Sequence, residues 1–371
     1  MRAFHPRYMR ILYDGRVFQM QSAGGVNRYF KEIISGLPAD YHPVITGLKN
    51  FGKNMPSHPH LERPCFRLFP PRRFSVPLRD KWWKPRLLRR LDLFHPTYYD
   101  LTYGFSFSDF KCPMVLTVYD FIYAIYPKLM EGLGDVIRDQ TEAIRKADHS
   151  ICISKATENN LLERFPEKRG KTSVIYLGSS FEIQPPLAEH AIFERPSFLF
   201  VGGRRAFYKN FFFLLRVFAK ACESNPRIRL QIAGAPLTTE ERQQIQMLGI
   251  RDRVEAVTYP DEQQLISLYR SSVALVYPSL HEGFGLPPLE AMACRTLAIT
   301  SNTTSLPEVM GDGGIMLDPT REVDWVECIL KTAKGGGDRD LTIERGLERV
   351  RMFSWKKTVE KHLEVYCRLV S

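Results

Sequence analysis

No stretch of this chain reaches the roughly 18–20 consecutive apolar residues that a bilayer-spanning helix needs. The opening residues, MRAFHPRYMRILYDG, hold neither a long apolar core nor a small-residue cleavage site, so no signal peptide is expected from them. Cysteine is sparse: seven in 371 residues, at 65, 112, 152, 222, 294, 328 and 367, odd in number and never spaced C-x-x-C. That argues against a disulfide framework or a thiolate zinc site and fits a reducing compartment. No G-x-G-x-x-G follows either candidate first strand; GGRRAF, 202–207, fails at its third position, which weakens a dinucleotide-dependent dehydrogenase reading. D-x-D occurs once, at Asp338-Arg339-Asp340, after three glycines and without an apolar strand before it, so it reads as a surface loop. His58 and His60 in SHPH also read as a loop, and no essential metal is expected. GLKNFGKN, 47–54, falls short of a phosphate loop: Asn54 stands where Ser or Thr would bind magnesium, and no helical pattern follows.

What is present is an ordinary globular composition, 44% hydrophobic and 25% charged, long enough for two domains. The net charge of +11 is uneven, because residues 1–190 carry 28 Lys and Arg against 19 Asp and Glu. Residues 63–91, RPCFRLFPPRRFSVPLRDKWWKPRLLRRL, hold ten Lys and Arg and a single acid, Asp80, interleaved with Trp82, Trp83, Leu87, Leu88 and Leu91. Such a mixture suits the headgroup region of an anionic membrane. The competing reading is a basic outer face with its tryptophans in the core. Nucleic-acid binding has no recognition motif to support it.

Short β-branched runs alternate with amphipathic stretches. Strands are expected at Arg10–Tyr13, Val44–Thr46, Met114–Val118, Ser150–Ser154 and Ser173–Tyr176, with helices from about Gly25 to Leu37 and over Glu131–Ala147. FEIQPPLAEHAIFERP, 181–196, is proline-rich and aperiodic, a linker. A second alternating set runs from the strand Phe198–Val201 to the strand Leu297–Thr300, and Ser354–Leu369 reads as one amphipathic helix. The fold class is α/β: two Rossmann-like, doubly wound parallel sheets facing a central cleft. The expected boundaries are an N-terminal domain over 1–183, a linker over 184–196, a C-terminal domain over 197–352 and a final helix over 353–371.

HEGFGLPPLE, 281–290, follows the strand Ala274–Tyr277. Pro287 and Pro288 suit the first turn of a helix, where a missing N–H costs nothing. Gly283 and Gly285 let backbone approach a ligand closely. Exposed N–H groups at a helix start attract anions, and Glu290, expected in that first turn, lies beside them with Glu282 at the entrance. Phosphate takes N–H groups and carboxylates take hydroxyls, so the pattern suits a nucleotide sugar. Glu290 alone has an equal reading as a residue favouring the helix dipole.

These residues resemble the E-x7-E signature of family 4 retaining glycosyltransferases of the GT-B fold, of the bacterial surface-polysaccharide type. The likeness runs through residues 277–319 and takes in FVGGRRAFYKN at 200–210, GGVNRYF at 24–30, and weaker matches in LFHPTYYD, ADHSICISKAT and MFSWKKT. The resemblance implies that Glu282, with the N–H groups of Gly283, Phe284, Gly285 and Leu286, holds the donor sugar and diphosphate. It gives Glu290 the ribose, and gives Lys209 with Arg204 or Arg205 the diphosphate leaving group. Ser301, Thr303 and Thr304 would add phosphate contacts, and Gly24 and Gly25 would let diphosphate or acceptor approach the N-terminal domain. Relatives often carry His-Asp where this chain has Tyr119-Asp120; tyrosine donates one hydrogen bond but does not become a cation near neutral pH, so the role at 119 departs from the pattern.

The implied activity is metal-independent, retaining transfer of a hexose, such as mannose, from a nucleoside diphosphate sugar to a glycan or lipid-linked acceptor in lipopolysaccharide or O-antigen assembly. No cofactor is expected, GDP-mannose stands ahead of UDP-sugars as donor, and the work place would be the cytoplasmic face of the inner membrane. Alternatives are a nucleotide-sugar epimerase of similar fold and a catalytically inactive binding or scaffold protein.

Overall fold

The structure, a computed structural model, describes all residues except 1–7, 21–23, 47–54, 66–71, 128–133, 187–194 and 336–337. The near-phosphate loop at 47–54 therefore lies outside the described residues, as do most of the 184–196 linker and the start of the helix expected from Glu131. The chain divides into two compact units, one of residues up to Gly178 together with Trp355–Ser371, the other Ser179–Ser354.

The first unit holds, in order, β1 (Met9–Asp14), α1 (Arg16–Met20), α2 (Gly25–Ser35), β2 (Tyr41–Thr46), α3 (Arg72–Leu78), α4 (Lys84–Leu88), β3 (Leu93–Phe94), β4 (Val115–Val118), α5 (Ile122–Ile125), α6 (Gly134–Lys146), β5 (His149–Cys152), α7 (Lys155–Arg164) and β6 (Thr172–Val174). Every strand pairing is parallel. β1 lies between β2 and β3, with Ile11 opposite both Pro43 and Leu93. β5 lies between β4 and β6, and a parallel bridge from Phe94 to Met114 joins the two halves of the sheet. The strands read as continuous apolar runs because helices cover both faces; Ile11, Leu12, Val115, Leu116 and Ile151 are fully buried. The segment after β1, for which the sequence suggests no element, contains α1. α3 and α4 form one continuous helix through a π turn at Arg79–Trp83, where the sequence gives a basic pattern but no clear helical period.

The second unit holds β7 (Ser197–Val201), α8 (Phe211–Ser224), β8 (Arg229–Gly234), α9 (Thr239–Met247), β9 (Val254–Thr258), α10 (Glu262–Ser271), β10 (Ala274–Tyr277), α11 (Leu286–Ala293), β11 (Leu297–Ser301), α12 (Leu306–Met310), β12 (Ile315–Leu317), α13 (Glu322–Ala333) and α14 (Arg339–Met352). Arg339 and Asp340 of the D-x-D triplet thus lie in the first turn of a helix rather than in a loop. The sheet is six-stranded and wholly parallel, in the order β12-β11-β10-β7-β8-β9. Its core is built from Phe198, Phe200, Leu230, Ile232, Val276, Ile299 and the fully buried Trp325. The chain winds outward from β7 on one side and from β10 on the other, so the strand order reverses between these two. Their carboxyl ends are the switch point where open α/β sheets bind ligands.

The last helix, α15 (Trp355–Val370), belongs to the first unit. Its buried residues, Thr358, Val359, His362, Val365 and Tyr366, recur at helical spacing and form one stripe. That stripe meets α2 and the sheet through a buried polar chain: Tyr29 Oη to His362 Nε2 at 2.6 Å, and His95 Nδ1 to Tyr366 Oη at 2.6 Å.

Candidate functional site

β7 and β10 end side by side, and the segments leaving them carry the chemistry. After β7 the chain makes a 3-10 turn, Phe207–Lys209, and enters α8 through Asn210 in the left-handed conformation, φ 57°. Asparagine is among the few non-glycine residues that visit this region routinely, and its Nδ2 is tied to the Pro319 carbonyl at 3.1 Å. The turn is docked on the neighbouring loop by Leu280 N donating to Tyr208 O at 2.7 Å. Lys209 is thereby delivered to Glu282: its Nζ donates to Glu282 Oε1 at 2.7 Å and to Tyr277 Oη at 2.7 Å. Both members of the ion pair are largely shielded from water.

The loop after β10 is clamped by hydroxyls from the segment after β11. Glu282 N donates to Thr304 Oγ1 at 3.0 Å, and Ser305 Oγ lies 2.9 Å from the carbonyls of both Glu282 and Phe284. Thr303 Oγ1 reaches the Ser279 and Leu280 carbonyls. The loop closes at Gly285, φ 107°, whose absent Cβ would stand 2.7 Å from Leu306 Cδ2, so only glycine fits there. α11 then begins at Leu286. Pro287 and Pro288 bring no N–H, so the amides that this helix start leaves without intrahelical acceptors are those of Gly285 and Leu286, with Gly283 and Phe284 preceding them in the loop.

Two expectations need correction, and a choice left open is sharpened. Glu290 is the fifth residue of α11, one past the first turn; it is buried, with Oε2 accepting from Tyr269 Oη at 3.0 Å. The hydroxyl of Thr303 is turned onto the loop carbonyls rather than toward phosphate, Thr304 Oγ1 accepts from the Glu282 amide, and Ser301 is wholly buried at the end of β11. Arg204 and Arg205 differ sharply. Arg204 is buried, its Nε and Nη2 paired with the Glu241 carboxylate and Nη2 also near the Ala235 and Pro236 carbonyls. Its Nη1 is buried without a hydrogen-bond partner among the described residues. Arg205 is exposed.

The remaining expected residues lie in the first unit. Gly24 and Gly25 are exposed at the start of α2, and Gly24 is extended rather than left-handed. Tyr119 is a core residue: its only hydroxyl proton goes to the Thr97 carbonyl at 3.1 Å, and its ring packs on Tyr29 and Tyr99. Its hydroxyl proton is therefore committed to the backbone. Asp120 Oδ1 accepts from Ile122 N at 3.0 Å and starts α5.

Sequence reasoning missed Tyr277, Tyr269, Glu241 and Ser305. Tyr277 hides in an apolar strand run and Tyr269 in an amphipathic helix; the available signal was Tyr277's place at the carboxyl end of a switch-point strand. Burial, then the neighbouring glutamate, pushes each tyrosine hydroxyl well above its ordinary range, so both stay protonated. The arrangement offers one shielded ammonium, two buried carboxylates and a cluster of helix-mouth amides. It suits a ligand carrying both phosphate and hydroxyls. Among the described residues no group of three or more His, Cys, Asp or Glu side chains is placed to hold a metal ion.

Residues 186–349 match the family described as glycosyl transferases group 1, and residues 23–181 match glycosyltransferase family 4. The chain is 28% identical over 320 residues to O-antigen chain mannosyltransferase B of Escherichia coli, covering 81% of this chain and 79% of that one. It is 40% identical over 111 residues to the serotype-specific mannosyltransferase WbdA of Escherichia coli, a match spanning 29% of this chain and only 13% of that protein. Among solved structures, the sucrose-phosphate synthase of Thermosynechococcus elongatus superposes with a TM-score of 0.76 at 21% identity, covering 97% of this chain and 99% of the other.

Proposed function

We propose that this chain, which belongs to the family 4 glycosyltransferases of GT-B fold and surface-polysaccharide type, is a retaining hexosyltransferase fed by a nucleoside diphosphate sugar. The observation that carries the reading is the Lys209–Glu282 pair at the β7–β10 switch point, beside the α11 mouth. Breaking the sugar–phosphate bond leaves positive charge on the sugar carbon and sends the electron pair to the diphosphate. Lys209, the orphaned Nη1 of Arg204 and the amides of Gly283–Leu286 would meet that negative charge, and fixed donors of this kind are often the largest catalytic term. Glu282 accepts from donor-sugar hydroxyls and Glu290 from the ribose. With cations of the protein serving the leaving group, no metal is required. The diphosphate oxygens assist attack on the face they leave, so no carboxylate acts as general base.

The names of the two mannosyltransferase relatives, one of them an O-antigen chain enzyme, support mannose as the sugar; this reading takes GDP-mannose as donor, with a glycan or lipid-linked acceptor in O-antigen or lipopolysaccharide assembly. An anionic membrane is the second partner. On the continuous helix α3–α4, Phe74, Leu78 and Trp82 follow each other at four-residue intervals, 54%, 45% and 61% exposed, with Arg72, Arg73, Lys81, Arg86, Arg89 and Arg90 exposed around them. Apolar side chains within a basic surface suit insertion at anionic headgroups, which would place the protein at the cytoplasmic face of the inner membrane. No described helix is long and apolar enough to cross a membrane.

The donor reading is tested by thermal stabilisation against GDP-, UDP-, dTDP- and ADP-sugars in a chelator. One nucleotide series should raise the melting temperature; a flat response to all four would count against a donor site.

A further inference from the structure

Lys209 is held by more than its carboxylate. Tyr277, the last residue of β10, is fully buried, and its hydroxyl oxygen accepts from Lys209 Nζ at the same 2.7 Å as Glu282 Oε1. An ammonium has three N–H groups. Two are taken by these partners, and the third has none among the described residues. The two partners differ in kind. Glu282, if ionised, cancels the lysine charge where it touches it. The phenol is kept neutral by burial and by the neighbouring carboxylate, so it fixes the ammonium without cancelling it.

That difference matters for a flexible four-carbon side chain, which loses rotamer freedom when it is fixed. In the reading proposed above, on which this inference rests, donor hydroxyls compete for Glu282 when the nucleotide sugar binds. Lys209 must stay in place while its first partner is shared. We propose that Tyr277 is the positioning residue for Lys209: it holds the ammonium through the exchange, with the third N–H left for a diphosphate oxygen.

The test is a double-mutant cycle on the full chain, with Y277F, K209A and the double variant. Calorimetry in a chelator reads affinity for GDP-mannose, UDP-glucose, dTDP-glucose and ADP-glucose, and thermal unfolding reads stability. Y277F keeps the ring and its packing and removes one oxygen. It should weaken the nucleotide sugar that wild type binds by about tenfold, the order expected for a hydrogen bond to a charged group, and have little effect in the K209A background. Wild-type affinity in Y277F would overturn the proposal. So would an equal loss in both backgrounds, which would mark a packing effect. If wild type binds none of the four, the donor-site reading itself falls and this inference goes with it, a result distinct from the other two.

Discussion

At the scale of single residues, the site depends on side chains whose partners lie far away in the chain. Glu282, Lys209 and Gly285 were legible because their types and spacing carry the chemistry: two glycines between carboxylates at a strand end, and a lysine at a strand–turn–helix junction. Which arginine matters was not legible, since Arg204 and Arg205 are adjacent and identical. The structure tells them apart through Glu241, 37 positions away, which takes Arg204 in a buried pair at 2.9 Å. Removing one member of a buried pair leaves the other charge uncompensated, at a cost of about 3–5 kcal/mol. R204A should therefore lower the unfolding midpoint markedly, while R205A, at an exposed position, should leave it nearly unchanged. Denaturant unfolding of the two variants checks this; equal stability would show that the Arg204–Glu241 pair does not bear on the fold. Tyr119 teaches the same lesson in reverse. The sequence marks it as a departure from the family pattern, and the structure uses its hydroxyl on Thr97.

At the scale of elements, the alternation of strands and helices was readable because both sheets are parallel and buried, which leaves unbroken apolar runs. The shortest elements were not: β3 has two residues and β12 three, too few for a period. The α3–α4 helix was missed as a helix because Pro77, Pro85 and a π turn interrupt its pattern. Its consequence is the exposed stripe of Phe74, Leu78 and Trp82, where the sequence left open whether a tryptophan was buried. Trp82 is outside, while Trp83 is half-buried within 6.1 Å of the Phe105 ring. The triple variant F74S/L78S/W82S should keep nucleotide binding and lose most flotation with vesicles containing anionic phosphatidylglycerol. Undiminished flotation would remove the stripe from membrane docking.

At the scale of the whole molecule, stability should fall in acid. His95 and His362 are fully buried between the sheet and α15. Burial pushes His362 down to about 4 and His95 well below its ordinary range; His149 is also pushed down to about 4, by burial and by Arg368. Each folded-state value lies below the unfolded one near 6.5, so the unfolded chain binds more protons in that window. Their contribution is present above about pH 6.5 and is lost as pH falls toward 4. Asp14 acts oppositely: burial raises it to about 6, so its contribution is full below about 3.8 and lost as pH rises through 6. Three histidines outweigh one aspartate, and the unfolding temperature should drop between pH 6.5 and 4, by less in H362Q. A midpoint constant across that range would contradict the buried-histidine account.

The central claim is that the switch point of the second unit binds a nucleoside diphosphate sugar through Lys209. The most direct measurement is a calorimetric titration of wild type and K209A with GDP-mannose and UDP-glucose in a chelator. The account predicts metal-free binding by wild type, with GDP-mannose ahead, and a large loss in K209A. Equal affinity of the two proteins, or binding that appears only when a divalent metal is restored, would contradict it.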